Sequence, residues 1–600
     1  MPDVVPVLER HHQLSIQQLA QWLEHTIGAD RFQDHALRAI YQHRKFVAGW
    51  RAPTDFSGVT RDLDLLVDQE FPFSQPRVGL GGPAEFLVWP HIEEDGLLCL
   101  PARPSAHEAI DQAQTALRDA YELVSLNLVE PPLQHFQDEF LSYWARDLGT
   151  KGRPMTSILT PGGPSRKVAV WHGNVWNIVA ENETSLKKWS ENRFGPKQNA
   201  FKTESAALIW LPAPLLPAQF PKTASDIWAL SREIQSGRDV LRELAAKTPQ
   251  RVVVVLGAQS NNGPCFAGVT APAPSAKFLG KKRDTIQKGF RPGHVPAEIA
   301  SSRFWSTGSQ VVRSEVSRAD ATWIHGRDRD SNQRKLNEAK VILIGAGSVG
   351  APVANQLAMA GAGCLVIVDP EKLTAANTGR HPLGSKYIDR HKAEALAGEL
   401  RENYPHHHFE FRRESWQQVN SQEPQLFEEA TLIISATGDW NTEDALNTWH
   451  VDRGKAPPII YGWTEEHACA GHGVLIRPEK YVCLACGLAP DGTPKFRATR
   501  WPGSMLNQEP GCGAQYQPYG PIELSHTVSL ISELAIDALV SDEVDFPHRV
   551  WVCRLQFLQS SGGQWSQEWL AHFNKRTEGG FEIQREWPRD PACRVCGVRP

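Results

Sequence analysis

The stretch VILIGAGSVG, Val341–Gly350, decides the reading of the C-terminal half of this chain. Four apolar residues suited to a buried strand run into Gly345, Gly347 and Gly350, and a helical pattern follows. Glycines there let the backbone turn tightly and bring main-chain N–H groups at a helix start against phosphate. A second apolar run, CLVIVD, ends at Asp369. That is about 20 residues on, where a carboxylate meets ribose hydroxyls in dinucleotide-type folds. Strand, glycine turn, helix, strand and Asp together predict a Rossmann-like βαβ unit. Dehydrogenases and methyltransferases use the same glycine pattern, so the turn alone does not choose the chemistry.

The next residues do. The chain continues DPEKLTAANTGRHPLGSKYIDRHKAEAL, Asp369–Leu396. Asn377, Arg380 and Lys392 follow the Asp at the offsets of Asp, N-x-x-R and a helix-opening Lys, which resembles the adenylating domain of the ThiF/MoeB/ubiquitin-activating (E1-type) family. Hydride transfer has no use for two cations beside the loop. Attack of a carboxylate on the α-phosphate of ATP does, because negative charge builds on phosphate oxygens. The resemblance implies ATP with Mg²⁺, and it nominates Asp439 in ATLIISATGDWNTEDALN, Ala430–Asn447, as a metal and substrate carboxylate. The match is imperfect there. Ser435 stands where the family often has an acidic residue, and Asp444 where a basic one often follows. Arg327 and Arg329, in IHGRDRDSNQRK, are two candidates for the arginine that in this family reaches a partner subunit's ATP.

Working outward, YVCLACG and PACRVCGVRP supply Cys483, Cys486, Cys593 and Cys596. Two CxxC turns complete a tetrahedral Cys₄ set with no position left for water, the donor set of structural Zn²⁺. Between the pairs, Cys512 lies in a Gly/Pro-rich loop ahead of a helical stretch. The resemblance makes it the nucleophile that takes the acyl group from AMP as a thioester.

The N-terminal segment reads DQEFPFSQPRVGLGGPAEFLVWPHIEEDGLLCLPARPSAHEAIDQAQTALRDAYELV, Asp68–Val124. FPFSQPRV and the D-G-x-x-C-L spacing resemble the ubiquitin-conjugating (E2-type) fold and nominate Cys99 as its thioester cysteine. Trp89-Pro90-His91 replaces the usual His-Pro-Asn, so His91 is the candidate for the missing Asn's work at the oxyanion or on the incoming amine.

The expected architecture is multidomain α/β and α+β: a ubiquitin-conjugating-like α+β domain at 1–150, a middle α/β linker domain at 168–303, and a Rossmann-like ThiF/E1 adenylation domain with a Cys₄ zinc site at 321–600. In the first, helical patterns at Leu14–Leu23 and Ala106–Leu126 bracket strand-like runs at Asp64–Val67 and Glu85–Val88. Lys151–Lys167 and Ala271–Arg303 read as joining segments. Residues 168–274 offer three apolar strand candidates and a helical run, Ala224–Ala246, with no catalytic pattern.

Composition excludes other classes. Sixty-three basic against 68 acidic residues leave no basic face for nucleic acid. No apolar run reaches about 18 residues, and the first residues carry no secretory pattern, so a cytoplasmic protein is expected. Ten cysteines, four of them in CxxC pairs, point to metal rather than disulfides.

A conjugating segment ahead of an adenylating one is similar to the bacterial E1–E2 fusion proteins of antiphage operons, of the CD-NTase-associated (CBASS) type. That resemblance implies action on the C-terminus of a cGAS/DncV-like nucleotidyltransferase or other ubiquitin-like protein in place of ubiquitin. It also implies transfer to a target amine, either protein lysine or small molecule, reversal by a JAB-type metalloprotease, and a homodimer through the adenylating domain. The rival classes are a sulfur-carrier adenylyltransferase of ThiF/MoeB type, which needs no N-terminal conjugating domain, and a catalytically degenerate scaffold.

Overall fold

The computed structural model describes every residue except 1–3, 83–84, 103–107, 150, 196–201, 248–249, 279–280, 285, 287, 292–293, 454, 478–481, 506, 509–514, 542, 574–577 and 598–600. Cys512 therefore lies outside the described residues. The chain divides into two compact units, one formed by Met1–Thr156, Thr160–Asn177 and Glu204–Ser317, the other by Ser157–Leu159, Ile178–Thr203 and Arg318–Pro600. No helix among the described residues is long and apolar enough to cross a membrane.

The first unit has two cores. One lies under an antiparallel meander of Asp30–Arg31, Phe46–Phe56, Val59–Asp68 and Arg77–Leu80. Trp50, Leu65, Phe71 and Val78 are buried beneath it, against Ala113, Ala120 and Val124 of the helix Ala109–Val129. The helix Val4–Trp22 packs on that helix. The apolar run Glu85–Val88 is a turn rather than a strand: Leu87 has φ 63, and Val88 N and Trp89 N both donate to the Glu85 carbonyl. A positive φ breaks the extended geometry that alternation in the sequence suggests.

The second core gathers the hairpin Arg251–Ser260 and Gly263–Pro272, a parallel neighbour of its first strand, and the antiparallel strand Val312–Arg318. The helical run over 224–246 is two helices, Ala224–Leu230 and Gln235–Lys247. Both segments read as joining pieces carry core residues. Met155 is buried in one, and Ile286 and Ala300 in the other, with Phe304 and Trp305 just past its end on the same helix Ala297–Trp305. Their Gly, Pro and Lys neighbours hide these few anchors in any window average. Phe136, Tyr143 and Trp144 also belong to this core, so the helices Leu133–Asp138 and Phe140–Arg146 leave the first core and pack on the second.

The second unit is built on an eight-stranded sheet ordered His408–Arg412, Cys364–Val368, Lys340–Ile344, Leu432–Ser435, Ile459–Thr464, Ala470–Ile476, His548–Arg554, Gly579–Arg585. The first five strands are parallel and the rest antiparallel. Period-two alternation splits each apolar run between two cores. Val341, Leu343, Leu365, Ile367, Leu432 and Ile434 face one side, with the helices Gly350–Ala360, Lys392–Asn403 and Pro521–Val540. Ile342, Ile344, Val366, Val368 and Ile433 face the other, with Trp416, Phe427, Leu446 and Trp587. The helix Glu183–Phe194 belongs to this unit and packs on Lys392–Asn403. Chain order reverses at Lys340–Ile344, whose neighbours are the second and fourth parallel strands. The glycine turn leaves that strand at its C-terminal end, the topological switch point where open α/β sheets bind ligands.

Candidate active sites and metal centre

At the switch point the glycine loop faces a cleft of ≈ 510 Å³, whose wall includes Gly347, Arg380, Thr437, Glu443 and Tyr519. Gly345 has φ 91, and a Cβ on Gly350 would stand 1.9 Å from the Gly345 carbonyl oxygen, so the turn accepts no larger residue at either place.

Asp369 and His381 clamp this loop from below. Asp369 Oδ2 accepts from Ala346 N at 2.6 Å and Oδ1 from Glu371 N at 2.7 Å. Burial pushes the Asp369 carboxyl up, and those two backbone donors oppose it. His381 Nε2 donates to the Ala346 carbonyl at 2.7 Å, and its Nδ1 accepts from Leu383 N at 3.1 Å. The ring is thereby fixed in one neutral tautomer, and burial lowers its pKa. Sequence reasoning missed His381 because a lone His beside an Arg carries no pattern.

Arg380 lies with its guanidinium carbon 4.9 Å from the centre of the Tyr519 ring, and the Tyr519 hydroxyl is 2.9 Å from Ser348 Oγ in the loop. Lys392, at the first turn of its helix, is buried and paired with Glu371 at 2.6 Å. Asn377 serves its own turn, its Oδ1 accepting from Thr374 N at 3.0 Å. Asp439 is exposed and caps the helix Trp440–Arg453, its Oδ2 accepting from Thr442 N at 2.9 Å. Arg327 and Arg329 are both exposed, with Arg327 resting 4.7 Å from the centre of the Trp323 ring.

Glu443 is the carboxylate that the sequence did not nominate. It is buried in the cleft wall, with Oε1 3.3 Å from Ser435 Oγ and 3.2 Å from Thr437 Oγ1. The acid that Ser435 lacks is thus delivered to the same spot from the first turn of the following helix. Burial pushes Glu443 up to about 7. The sign follows from linkage. Between its ordinary 4.5 and about 7 the folded state holds more protons than the unfolded one, so stability falls as pH rises through that window. Above it, the ionised group costs about 3 kcal/mol. Glu443→Gln is expected to raise Tm at pH 8 over the native protein, with the gain vanishing as pH is lowered toward 4.5. Scanning calorimetry across that range checks it.

Cys483, Cys486, Cys593 and Cys596 converge. Their sulfurs are 3.9 Å (483–486), 3.6 Å (483–593) and 3.3 Å (486–596) apart, and none is in a disulfide. Tetrahedral Zn²⁺ with its usual bond lengths asks for S···S of about 3.8 Å, so the donor set fits. Asn447 Nδ2 donates to Cys483 Sγ at 3.6 Å, and Trp587 Nε1 and Lys495 Nζ donate to the Cys483 and Cys486 carbonyls at 2.9 Å each. Such outer contacts orient thiolates toward one ion.

In the first unit Cys99 is half-exposed while Leu97 and Leu98 before it are buried. Leu98 N donates to the Val78 carbonyl and Cys99 N to the His91 carbonyl, both at 2.8 Å, which pins the segment along the edge strand. The Cys99 thiol donates to Glu93 Oε1 at 3.6 Å, and Arg146 Nη2 is 4.0 Å from Sγ. Glu93 also meets Arg44, and Arg77 at 3.0 Å. Burial alone would raise the Glu93 carboxyl, but the hydrogen bond and charge of Arg44, then Arg146 and Arg77, hold it below its ordinary value. Burial, then the Glu93 charge, push the Cys99 thiol up, with Arg146 opposing. Glu93 and Arg146 went unremarked in the sequence, since one sits in an acidic run and the other 47 residues away on a helix.

His91 has φ 64 and is held on every side. Its N–H donates to Tyr143 Oη at 2.7 Å, its Nε2 meets His135 Nδ1 at 2.9 Å, and its Nδ1 is 3.4 Å from Glu139 Oε2. Its contact with the Cys99 segment is its carbonyl, on Cys99 N.

Residues 324–512 match the ThiF family and residues 21–151 match prokaryotic E2 family B. The chain is 24% identical over 505 residues to the ATP-dependent ubiquitin transferase-like protein Cap2 of Pseudomonas aeruginosa, covering 79% of this chain and 84% of that protein. It is 24% identical over 306 residues to a protein of the same name from Escherichia coli, covering 48% and 46%. Among solved structures, Escherichia coli MccB aligns over 45% of this chain and 68% of its own, at 17% identity and a TM-score of 0.32.

Proposed function

We propose, starting from a chain that joins a prokaryotic E2 family B segment to a ThiF-family segment, that this protein is an E1–E2 fusion enzyme. In this reading it spends ATP to activate the C-terminal carboxylate of a protein and passes it, through Cys99, to an amine. The observation that carries the proposal is that one chain holds both a phosphate-type cleft with an arginine on its wall and a half-exposed thiol against a carboxylate held by three arginines.

A carboxylate oxygen of the substrate attacks the α-phosphorus of ATP, the bond to the β-phosphate breaks, and pyrophosphate leaves. The glycine loop's N–H groups and Arg380 take up the charge that develops on the phosphate, and Lys392 supports the loop through Glu371 and Asp369. Glu443 and Asp439 are the carboxylates at hand for Mg²⁺, which when bound screens the nucleotide's phosphates. Cys512 is assigned the next attack, on the acyl carbon, with AMP leaving. The Cys99 thiolate then displaces that thiolate, and an amine displaces Cys99 to form an amide. Each exchange replaces one difficult amide synthesis by steps with good leaving groups. Arg146, facing Cys99 Sγ, favours its thiolate and any oxyanion beside it.

The activated carboxylate is assigned to a CD-NTase of cGAS/DncV type, in cytoplasmic antiphage defence, with a homodimer through the adenylating domain in which Arg327 or Arg329 reaches the partner's nucleotide. ATP–pyrophosphate exchange with C-terminal peptides, followed by intact-mass analysis, tests the core of the proposal. Exchange that requires a free C-terminal carboxylate, and a thiol-sensitive adduct mapped to Cys99, are expected. Absence of exchange with every such peptide would overturn it.

A further inference from the structure

Outside both sites, three histidines of the second unit meet at a point. His325 Nε2 is 2.7 Å from His406 Nε2 and 2.8 Å from His407 Nε2. The rings come from separate places in the fold. His325 is on the short helix Ala321–Gly326, and His406 and His407 sit in the turn ahead of the strand His408–Arg412. Ring centres are 5.0, 4.7 and 4.2 Å apart.

Hydrogen-bond bookkeeping leaves this cluster incomplete. His325 Nδ1 is 2.9 Å from the Met359 carbonyl oxygen. A carbonyl only accepts, so the proton is on Nδ1 and Nε2 presents a bare lone pair. One in-plane lone pair takes one hydrogen well, yet two ring nitrogens crowd it. At the same time His407 Nδ1 is buried with no hydrogen-bond partner among the described residues. An imidazole whose outer N–H is tied to a backbone carbonyl, and whose inner nitrogen faces two more imidazoles, is arranged as metal-ligating histidines are.

We propose that His325, His406 and His407 form a second metal centre, separate from the four cysteines, for a borderline divalent ion of the Zn²⁺ type. Three imidazoles suit Zn²⁺, Co²⁺, Ni²⁺ or Cu²⁺ and exclude Mg²⁺ and Ca²⁺, which take oxygen. A tetrahedral ion needs nitrogens about 3.3 Å apart, so the rings open by roughly half an ångström to admit it. His325 and His406 are half-exposed, which leaves the fourth position to water. The ion fastens the helix Ala321–Gly326, just ahead of Arg327 and Arg329, to the turn before the edge strand of the sheet.

The test is a Co²⁺ titration of tag-free, full-length protein purified with its zinc retained at the cysteines. One equivalent of Co²⁺ is expected, with visible nitrogen-type d–d bands and no near-ultraviolet thiolate charge-transfer band. His406→Asn and His407→Asn are each expected to weaken binding at least about tenfold, with unchanged circular dichroism and zinc content. His325→Gln, at a half-exposed ligand, stands in should either asparagine variant fail to fold. No Co²⁺ uptake by the native protein, uptake with a thiolate band alone, or native affinity in the folded variants would overturn the proposal.

Discussion

Cys99→Ala is expected to reduce amide formation by about a thousandfold or more, the scale seen when a nucleophile is removed, and to leave ATP–pyrophosphate exchange at its native rate. No neighbour can take over. Glu93 lies 3.6 Å from the sulfur, but its carboxylate is committed to Arg44 and Arg77, and Arg146 has no lone pair to attack with. The raised thiol pKa sets the pH dependence of the native enzyme. Burial and Glu93 keep the group protonated at pH 7, so the rate of acyl transfer onto Cys99 rises with pH through and beyond the ordinary thiol value of 9.0. Rapid-quench transfer assays across that range, with exchange measured in parallel, check both halves. Equal loss of exchange in Cys99→Ala would mean that the two chemistries are not separable.

Arg380→Ala carries the second large effect, a fall of about 10²–10³ in pyrophosphate exchange, the usual cost of removing one donor aimed at developing charge. Tyr519 and Ser348 hold the guanidinium against the loop, so its charge is preorganised rather than recruited from solvent. Arg380→Lys keeps the charge but loses the flat stacking face, and an intermediate rate is expected. Steady-state exchange, with nucleotide affinity measured separately, distinguishes lost catalysis from lost binding.

The two centres differ in how the chain builds them. At the nucleotide cleft, backbone and buried acids do the positioning: Asp369 and His381 hold the loop that Arg380 and Glu443 then flank. At Cys99 the positioning is by charge, with three arginines around one carboxylate. Low local dielectric strengthens both arrangements. It also explains why Glu443, buried among hydroxyls without a cation, stays poised near neutrality in the free protein.

Much of this was legible beforehand because it is local. Glycine spacing, CxxC turns and the D-G-x-x-C-L run depend on residues a few positions apart, and an apolar strand declares itself whatever it later packs on. The sheet's middle strands, the glycine loop, the four cysteines and the turn that carries Cys99 are of that kind. The core role of Met155, Phe304 and Trp305 was not, because single anchors among polar and Gly/Pro neighbours carry no period.

Sequence alone determined the order of the pieces and the residue types at each turn, since backbone geometry and donor sets are written in short stretches. Tertiary structure alone decided which distant groups share a volume: Glu443 in Ser435's place, Arg146 beside Cys99, His381 under the loop, and His325 with His406 and His407. The reason is that desolvation and Coulomb terms act through space. They appear only when packing has brought together residues that the chain keeps far apart.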